Sequence, residues 1–578
     1  MTLKGAHYEW RYEGAPAALA EDIRRGAGVT PHMAQVLASR QVASGAEALL
    51  FLAPETRPLP DARLLPGAAQ VVERVSGALS SGETVAVHGH DDADGVTASA
   101  IMIETLEQLG ARPVSYIPDR RTEGHGLSRP ELDYLSGLGV RLVITVDSCV
   151  SDRDAIAHGN SLGIDTIVTD HHEIPPELPA ARAIVNPKLP SSPYPYRYLA
   201  GTGVSLRVSD LLLDELRGRF APAPGGRVWH GPRWRDEALA LAAVGSIADK
   251  VPLTGDNRTI VAAGLKVAPA TERPGLRALL EESRLWGHEL DPDDVREYLG
   301  PIFGRVSDGR GGNDALKVLL TPDADQAREG ARALVGERVR WREAALSGLA
   351  QVRSELARSA GAPDPAALVV QARVPLDTMG YAASRLADES GLPVVVLAPR
   401  NGGLMAEARG PQGFNFVTAF HSMSELFAGY GGHPRAAGFT IDAARAAEFR
   451  ERLIAYVREH PPAPEPRRLD AVVPLDDATP ELARELELLR PFGQANAPAA
   501  LLSREASREA VRRAQDRGVH FAAPLRLNPG ATGMVYRLRS SEGVALATVI
   551  DTVSGAPPTV IGAAGSQGGG GGSGEPMR

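Results

Sequence analysis

The chain has 578 residues, 43% of them hydrophobic and 23% charged, an ordinary balance for a soluble globular protein and enough, at roughly 100–200 residues per domain, for about three to five domains. Its one cysteine, Cys149, excludes an intrachain disulfide and fits a reducing compartment. No apolar run reaches the ~20 residues of a membrane span, the N-terminus MTLKGAHYEWRYEG lacks the apolar stretch of a secretory signal, and the formal net charge of −9 says little about nucleic acid, because a basic stripe can sit on an acidic protein.

Residues 1–60, rich in Ala, Arg and Glu, read as short helices. Residues 61–320 alternate apolar strands with amphipathic helices: ETVAVHGH, RPVSYIP, RLVITVD, DTIVTD and ARAIVNP are β-branched runs closed by polar residues, and GVTASAIMIETLEQLG has helical periodicity. This pattern predicts an α/β domain built on a parallel sheet. Residues 321–360 form a long, charged helical stretch suited to connecting two lobes. A second α/β unit follows over 361–462, with ALVVQARV and LPVVVLA as strands around the helix GYAASRLADESG. After HPPAPEP the texture changes, and 463–564, with MVYRLRS and VALATVIDTV, suits a small β-barrel. The Gly-rich tail 565–578 reads as a flexible linker.

Four clusters of metal-ligand residue types close apolar runs in the first α/β domain. HGHDDADG supplies His88, Asp92 and Asp94, TVDS supplies Asp147, VTDHHE supplies Asp170, His171 and His172, and GSIADKVPL supplies Asp249. Read as four strand ends, they converge on one edge of the sheet, where ligands of parallel sheets gather. Carboxylates mixed with imidazoles suit Mn²⁺, Mg²⁺ or Zn²⁺, and the absence of cysteine ligands argues against a structural zinc. A carboxylate bridging two such ions would hold them ~3.5–4 Å apart, ready to activate water and stabilise a leaving oxygen in phosphoryl displacement.

In these residues the chain resembles the DHH phosphoesterase superfamily, whose triplet is Asp170-His171-His172, and within it the RecJ exonuclease family. The resemblance extends over roughly residues 50–500 through IPDRRTEGHGL, IVNPK, LAGTGV, LGPIFGRVSDGR, GGHPRAAGF and LLRPFGQANAP. It implies a DHH catalytic domain, a connector helix, a DHH-associated domain and a C-terminal OB-like nucleic-acid-binding barrel. It implies two divalent ions, Mn²⁺ or Mg²⁺, one held by His88, Asp92 and Asp147 and the other by Asp94, Asp147, His171 and Asp249. Asp170 and His172 would be catalytic groups on the substrate side, and Arg120, Arg310, Arg409 and His433 would bind the strand. Departures from the family pattern are His90, where Asp is common, Ser148-Cys149, Gly304 and Glu407.

The activity so implied is 5′→3′ hydrolysis of single-stranded DNA to mononucleotides in repair and recombination, by a cytoplasmic, nucleoid-associated monomer working with a helicase and a single-strand-binding protein and not with membranes. The alternatives are a nanoRNase or phosphoadenosine phosphatase, a pyrophosphatase, or a scaffold of the same fold without activity. The Arg-rich stretch 504–518 and the aromatics Tyr430, Phe439, Phe492 and Phe521 are further candidates for strand contacts.

Overall fold

The computed structural model of the protein describes all residues except 1, 120–121, 125, 224–232, 305–310, 359–363, 365, 401, 464, 523–529, 542 and 555–578. The chain divides into two compact units, one comprising residues 50–465 and 489–497, the other residues 1–49, 466–488 and 498–578.

The larger unit is organised around a five-stranded parallel sheet. Its strands lie in the order Val114–Tyr116, Thr84–His88, Val140–Val146, Asp165–Thr169 and Ala183–Val185. These are the five β-branched runs of the sequence. Both faces are covered, as a parallel sheet requires: Val85, Val87, Ile144 and Ile167 face one buried cluster, and Ala86, Val143 and Val168 face another. The chain starts at Thr84–His88, steps to one side for Val114–Tyr116 and then continues on the other side with Val140–Val146. The sheet therefore reverses its winding between the strands ending at His88 and Val146, and a crevice opens outside their carboxyl ends.

Helix Ala93–Gln108 leaves that crevice and is buried along nearly its whole length. Helices Gly201–Leu216 and Arg233–Ala248 pack beside it, both apolar almost all round because they are enclosed. This interior holds a fully buried ion pair. Arg273, fully buried, donates from Nη2 to Glu104 Oε2 at 2.7 Å, and its Nη1 also reaches Glu104.

Helix Ala324–Arg358, 35 residues long, ties this core to a second one. Ala327, Ala331 and Leu334 belong to the first core, whereas Leu349 and Val352 pack with Val370, Ala383 and Val396 of the second. The second sheet runs Phe427–His433, Ala436–Ile441, Gly403–Arg409, Val394–Arg400 and Leu368–Gln371, parallel only between its last two strands.

In the smaller unit, strands Gly533–Ser541 and Val544–Val553 form an antiparallel pair in a five-stranded sheet with Ala471–Val472, Leu501–Ser503 and Val519–Phe521. The first 60 residues differ from the all-helical expectation. Strands Thr2–Lys4 and Glu9–Arg11 precede the helices, and Trp10 is buried with Leu469, Leu502 and Val535 while its indole N–H donates to Asp551 at 2.8 Å. The Gly-rich tail lies outside the described residues.

Removing Arg273 takes its cation away from Glu104 in the core, where both are buried, whereas Glu237 keeps the Thr271 hydroxyl and the Glu272 N–H. Arg273→Ala should therefore cost about 3–5 kcal/mol, whereas replacing Arg273 and Glu104 together by Met and Leu should recover most of that loss. Urea denaturation of the two variants checks this.

Candidate metal centre

The first ligand-bearing turn is shaped by its glycine. After strand Thr84–His88 the chain turns through residues 89–92 into helix Ala93–Gln108, and Asp92 caps that helix by accepting from the Gly95 N–H at 3.0 Å. A Cβ at Gly95 would lie 2.5 Å from the His90 carbonyl oxygen, so only glycine lets the turn close this tightly. Asp94 sits in the first helical turn, 1% exposed. Its Oδ2 and Oδ1 accept the backbone N–H groups of Gly201 and Thr202 at 2.7 and 2.8 Å, from the N-terminus of helix Gly201–Leu216, a favourable place for negative charge.

Asp147 follows strand Val140–Val146 with a left-handed φ of 60°, and Cys149 follows with 81°. Such strain in non-glycine residues clusters at functional sites. Gly201 also admits Asp147, because a Cβ there would lie 2.4 Å from Asp147 Oδ1. Strand Asp165–Thr169 delivers Asp170, His171 and His172. Asp249 arrives differently. It follows helix Arg233–Ala248, not a strand as the sequence suggested. The run LALAAVGSIA is apolar on all sides because that helix is enclosed, and periodicity alone does not separate such a segment from a buried strand.

Asp147 stands at the centre. Its Oδ1 lies 3.0 Å from His171 Nε2 and its Oδ2 lies 3.8 Å from His90 Nδ1. On the first side His171 Nε2 is 3.6 Å from Asp94 Oδ2 and 3.7 Å from Asp249 Oδ2. On the second side His90 Nδ1 is 2.9 Å from Asp92 Oδ2. Three overlapping groups thus offer converging ligand atoms, Asp94–His171–Asp249, His90–Asp92–Asp147 and Asp147–His171–His172. The Asp147 carboxylate faces both of the first two.

His88, expected as a ligand, lies apart from these groups. It is fully buried in strand geometry, stacked on Tyr116, with Nε2 3.5 Å from Glu131 and Nδ1 3.9 Å from the Cys149 sulfur. Strand alternation puts it on the face of Ala86. His90, past the strand end, supplies the imidazole beside Asp92 instead.

The buried carboxylates repel one another, and a cation would relieve them. Burial, then repulsion from Asp147 and Asp249, raises the Asp94 carboxyl well above its ordinary value, and burial, then Asp92 and Asp170, does the same to Asp147. Burial also raises Asp249, although His171 pulls it back. Asp147 Oδ1 and His171 Nε2 are buried without a hydrogen-bond partner among the described residues. A divalent cation fits these donors, which are oxygen and imidazole nitrogen only.

Asp170 is an organiser. Burial pushes its pKa up, but the His172 ring and backbone N–H groups more than offset this and the carboxyl lies below its usual range. It accepts from Val150 N at 2.9 Å, His171 N at 2.7 Å and His172 N at 3.0 Å, and it meets His172 Nδ1 at 2.7 Å. The His172 side chain is 54% exposed.

The expected strand contacts have mixed positions. Arg120 and Arg310 lie outside the described residues. Arg409 and His433 come to the same end of the second sheet, both paired with Ala436, and Arg409 is held by Glu407 at 2.7 Å. Phe439 is a core residue, 4% exposed, because strand Ala436–Ile441 turns it toward Phe420 and Phe449; Tyr430 is 39% exposed. Part of the Arg-rich stretch is occupied internally, with Arg513 paired to Asp476 and Glu505. The clamp of Gly201 and Thr202 on Asp94 had its signal in LAGTGV.

A parallel-sheet crevice with these ligands defines a DHH-type phosphoesterase, and the DHH family N-terminal domain matches residues 84–218, with the DHHA1 domain at 364–459 and the RecJ OB domain at 469–540. The chain belongs to the RecJ family of single-stranded-DNA-specific exonucleases. It is 34% identical to RecJ of Dickeya dadantii over 460 residues, covering 76% of this chain and 78% of that one. It is 32% identical to RecJ of Bacillus subtilis over 506 residues, covering 86% of this chain but 62% of that protein, so the chain spans a little under two thirds of that relative. The crystal structure of Thermus thermophilus RecJ with Mn²⁺ superposes with a TM-score of 0.71 at 27% identity, over 95% of this chain and 80% of the other.

Two outcomes follow from the packing and the charges. Gly201→Ala should displace Asp147 and weaken Mn²⁺ binding by about tenfold or more, measured by titration calorimetry with circular dichroism confirming the fold. The raised carboxyls bind more protons folded than unfolded, so their contribution to stability is present below the ordinary Asp pKa of about 3.9 and is lost as pH rises through the folded values. Metal-free protein should lose thermal stability on this account as pH rises above about 3.9, and stabilisation by Mn²⁺ should grow over the same rise because the ion replaces those protons.

Proposed function

We propose that the chain is a metal-dependent 5′→3′ exonuclease that releases mononucleotides from single-stranded DNA. The observation that carries this reading is Asp147, whose two oxygens face two separate ligand groups. His90, Asp92 and Asp147 would hold one ion, and Asp94, Asp147, His171 and Asp249 the other. The RecJ structures solved with Mn²⁺ and with Mg²⁺ favour these two ions as cofactors. Bound there, two divalent cations would lower the pKa of water and stabilise charge on phosphoryl oxygens.

The protein's own groups do the rest. Water oxygen bonds to phosphorus and gives up a proton to solvent, the bond from phosphorus to the 3′ oxygen breaks, and the leaving oxygen takes up a proton. His172 is the proton donor in this reading, since Asp170 engages its Nδ1 and leaves the exposed Nε2 for the substrate. Asp170 is a positioning residue. Arg120, Arg310, Arg409 and His433 grip phosphates of the strand, and Arg suits that task through its planar fork of donors.

A DHH enzyme for nanoRNA, phosphoadenosine phosphate or pyrophosphate is disfavoured by the third match, the OB domain over 469–540, beyond the two catalytic lobes. An inactive scaffold is disfavoured by the intact ligand groups. A monomer in the bacterial cytoplasm near the nucleoid, supplied with single strands by a helicase and a single-strand-binding protein, completes the proposal. No helix among the described residues is long and apolar enough to cross a membrane.

Single strands labelled at the 5′ or the 3′ end, digested with Mn²⁺ or Mg²⁺, test it. The 5′ label should appear at once as mononucleotide, the 3′ label last, and blunt duplex should persist. Asp94→Ala should lower kcat by about a thousandfold or more. Release of the 3′ label first, or equal decay of blunt duplex, would refute the assignment.

A further inference from the structure

Beside the metal centre lies a cavity of about 450 Å³ lined by Asp92, Asp94 and Asp249 together with Lys250, Arg296 and Gly300. Its size falls in the range of small-ligand sites. Lys250 and Arg296 also line a smaller neighbouring cavity with Gly493 and Gln494. Neither cation was singled out by the sequence.

Both are placed by unusual backbone. Lys250 directly follows Asp249 and has a left-handed φ of 61°, a conformation open to glycine and unfavourable for lysine. Arg296 stands on a π-helical turn, Val295–Leu299, a feature frequent at functional sites. The turn is fixed on two sides. Glu297 is held by Arg342 of the long helix at 2.6 Å, and Gly300 lets the turn pack on the helix that carries Asp249, since a Cβ there would come within 3.1 Å of the Ala248 Cβ. Arg296 itself is tethered to Asp293.

Once the three carboxylates are neutralised by cations, the cavity presents a net positive surface beside the scissile position. An anion is its natural occupant. We infer that this cavity is a nucleotide-phosphate subsite in which Lys250 and Arg296 hold the phosphate of the unit next to the bond being broken. That phosphate belongs either to the bound strand or to the released 5′-mononucleotide. The inference rests on the exonuclease reading for its substrate but not for its test.

The experiment uses the full chain loaded with Mn²⁺ and the variants Lys250→Gly, Arg296→Ala and Lys250→Arg. Calorimetry with 5′-dAMP measures the subsite directly, and steady-state digestion of a single-stranded oligonucleotide gives KM and kcat. Each loss of a cation should weaken nucleotide binding about tenfold, the worth of one charge-assisted contact, with Lys250→Arg restoring most of it. Lys250→Gly should at the same time raise the melting temperature by relieving the backbone, so stability and affinity move in opposite directions. Mn²⁺ affinity should stay within about twofold of wild type in all three. A rise in KM for the oligonucleotide assigns the subsite to the strand, and a weakened 5′-dAMP affinity without that rise assigns it to the product. Unchanged KM and unchanged 5′-dAMP affinity overturn the inference, as does a loss of Mn²⁺ affinity large enough to explain the effect. If wild type degrades no single strand the exonuclease reading fails alone, because the 5′-dAMP titration still decides whether Lys250 and Arg296 bind nucleotide.

Discussion

The structure turns on the burial of two aspartates against each other. Asp94 and Asp147 are 1% and 2% exposed, and moving two carboxylates out of water is expensive unless cations or hydrogen bonds compensate. The protein compensates only half of this by itself. The N-terminus of helix Gly201–Leu216 donates two N–H groups to Asp94, while Asp147 keeps one buried oxygen without a hydrogen bond among the described residues. The missing half is the positive charge of metal ions, so the fold around this point is built to be completed by what it binds. That makes ion binding and local stability one quantity.

The winding of the sheet explains why these two residues meet. Asp94 and Asp147 follow neighbouring strands that are separated in sequence by the excursion through Val114–Tyr116. A reversal at that point leaves a gap that no crossover helix fills, and both loops fall into it. Asp170, placed by the next strand, then fixes the turn after Asp147 by accepting the Val150 N–H. It holds the His172 ring as well. One buried carboxylate therefore aligns a ligand-bearing turn and a substrate-side imidazole together.

How much of this was legible in the sequence depends on the kind of signal. All five strands of the first sheet were legible because each is a β-branched run closed by ligands or turn residues, and Asp92, Asp94, Asp147, His171 and Asp249 come together. His88 lies apart from these groups, and spacing within HGHDDADG does not show where the strand ends. His88 closes the strand and is buried, and the turn through residues 89–92 then places His90 beside Asp92. The strand Glu9–Arg11 has three residues, too few for a period of two to register, and it is held by Trp10 docking on residues more than 400 positions away. Phe439 as a stacking platform failed for a similar reason: an aromatic in a strand does not declare which face it occupies until the sheet is assembled.

The long helix carries the final constraint. At 1.5 Å per residue its 35 residues span roughly 50 Å, yet its buried residues cluster toward two regions, Ala327 to Leu334 and Ala345 to Val352. Each region belongs to a different core, so each core orders its own part of the helix and the stretch between them needs no packing of its own. A polar segment of this kind would add nothing if it only joined two ends. Here it is tied back to the first lobe, for Arg342 lies in it and holds Glu297 beside the metal-centre cavity. Trp341, next in the chain, meets Tyr381 of the second lobe edge-on at 5.9 Å. Adjacent residues of one rigid helix thus contact the turn near the metals and the helix beneath the second sheet. A shift of one lobe against the other would strain one of these contacts.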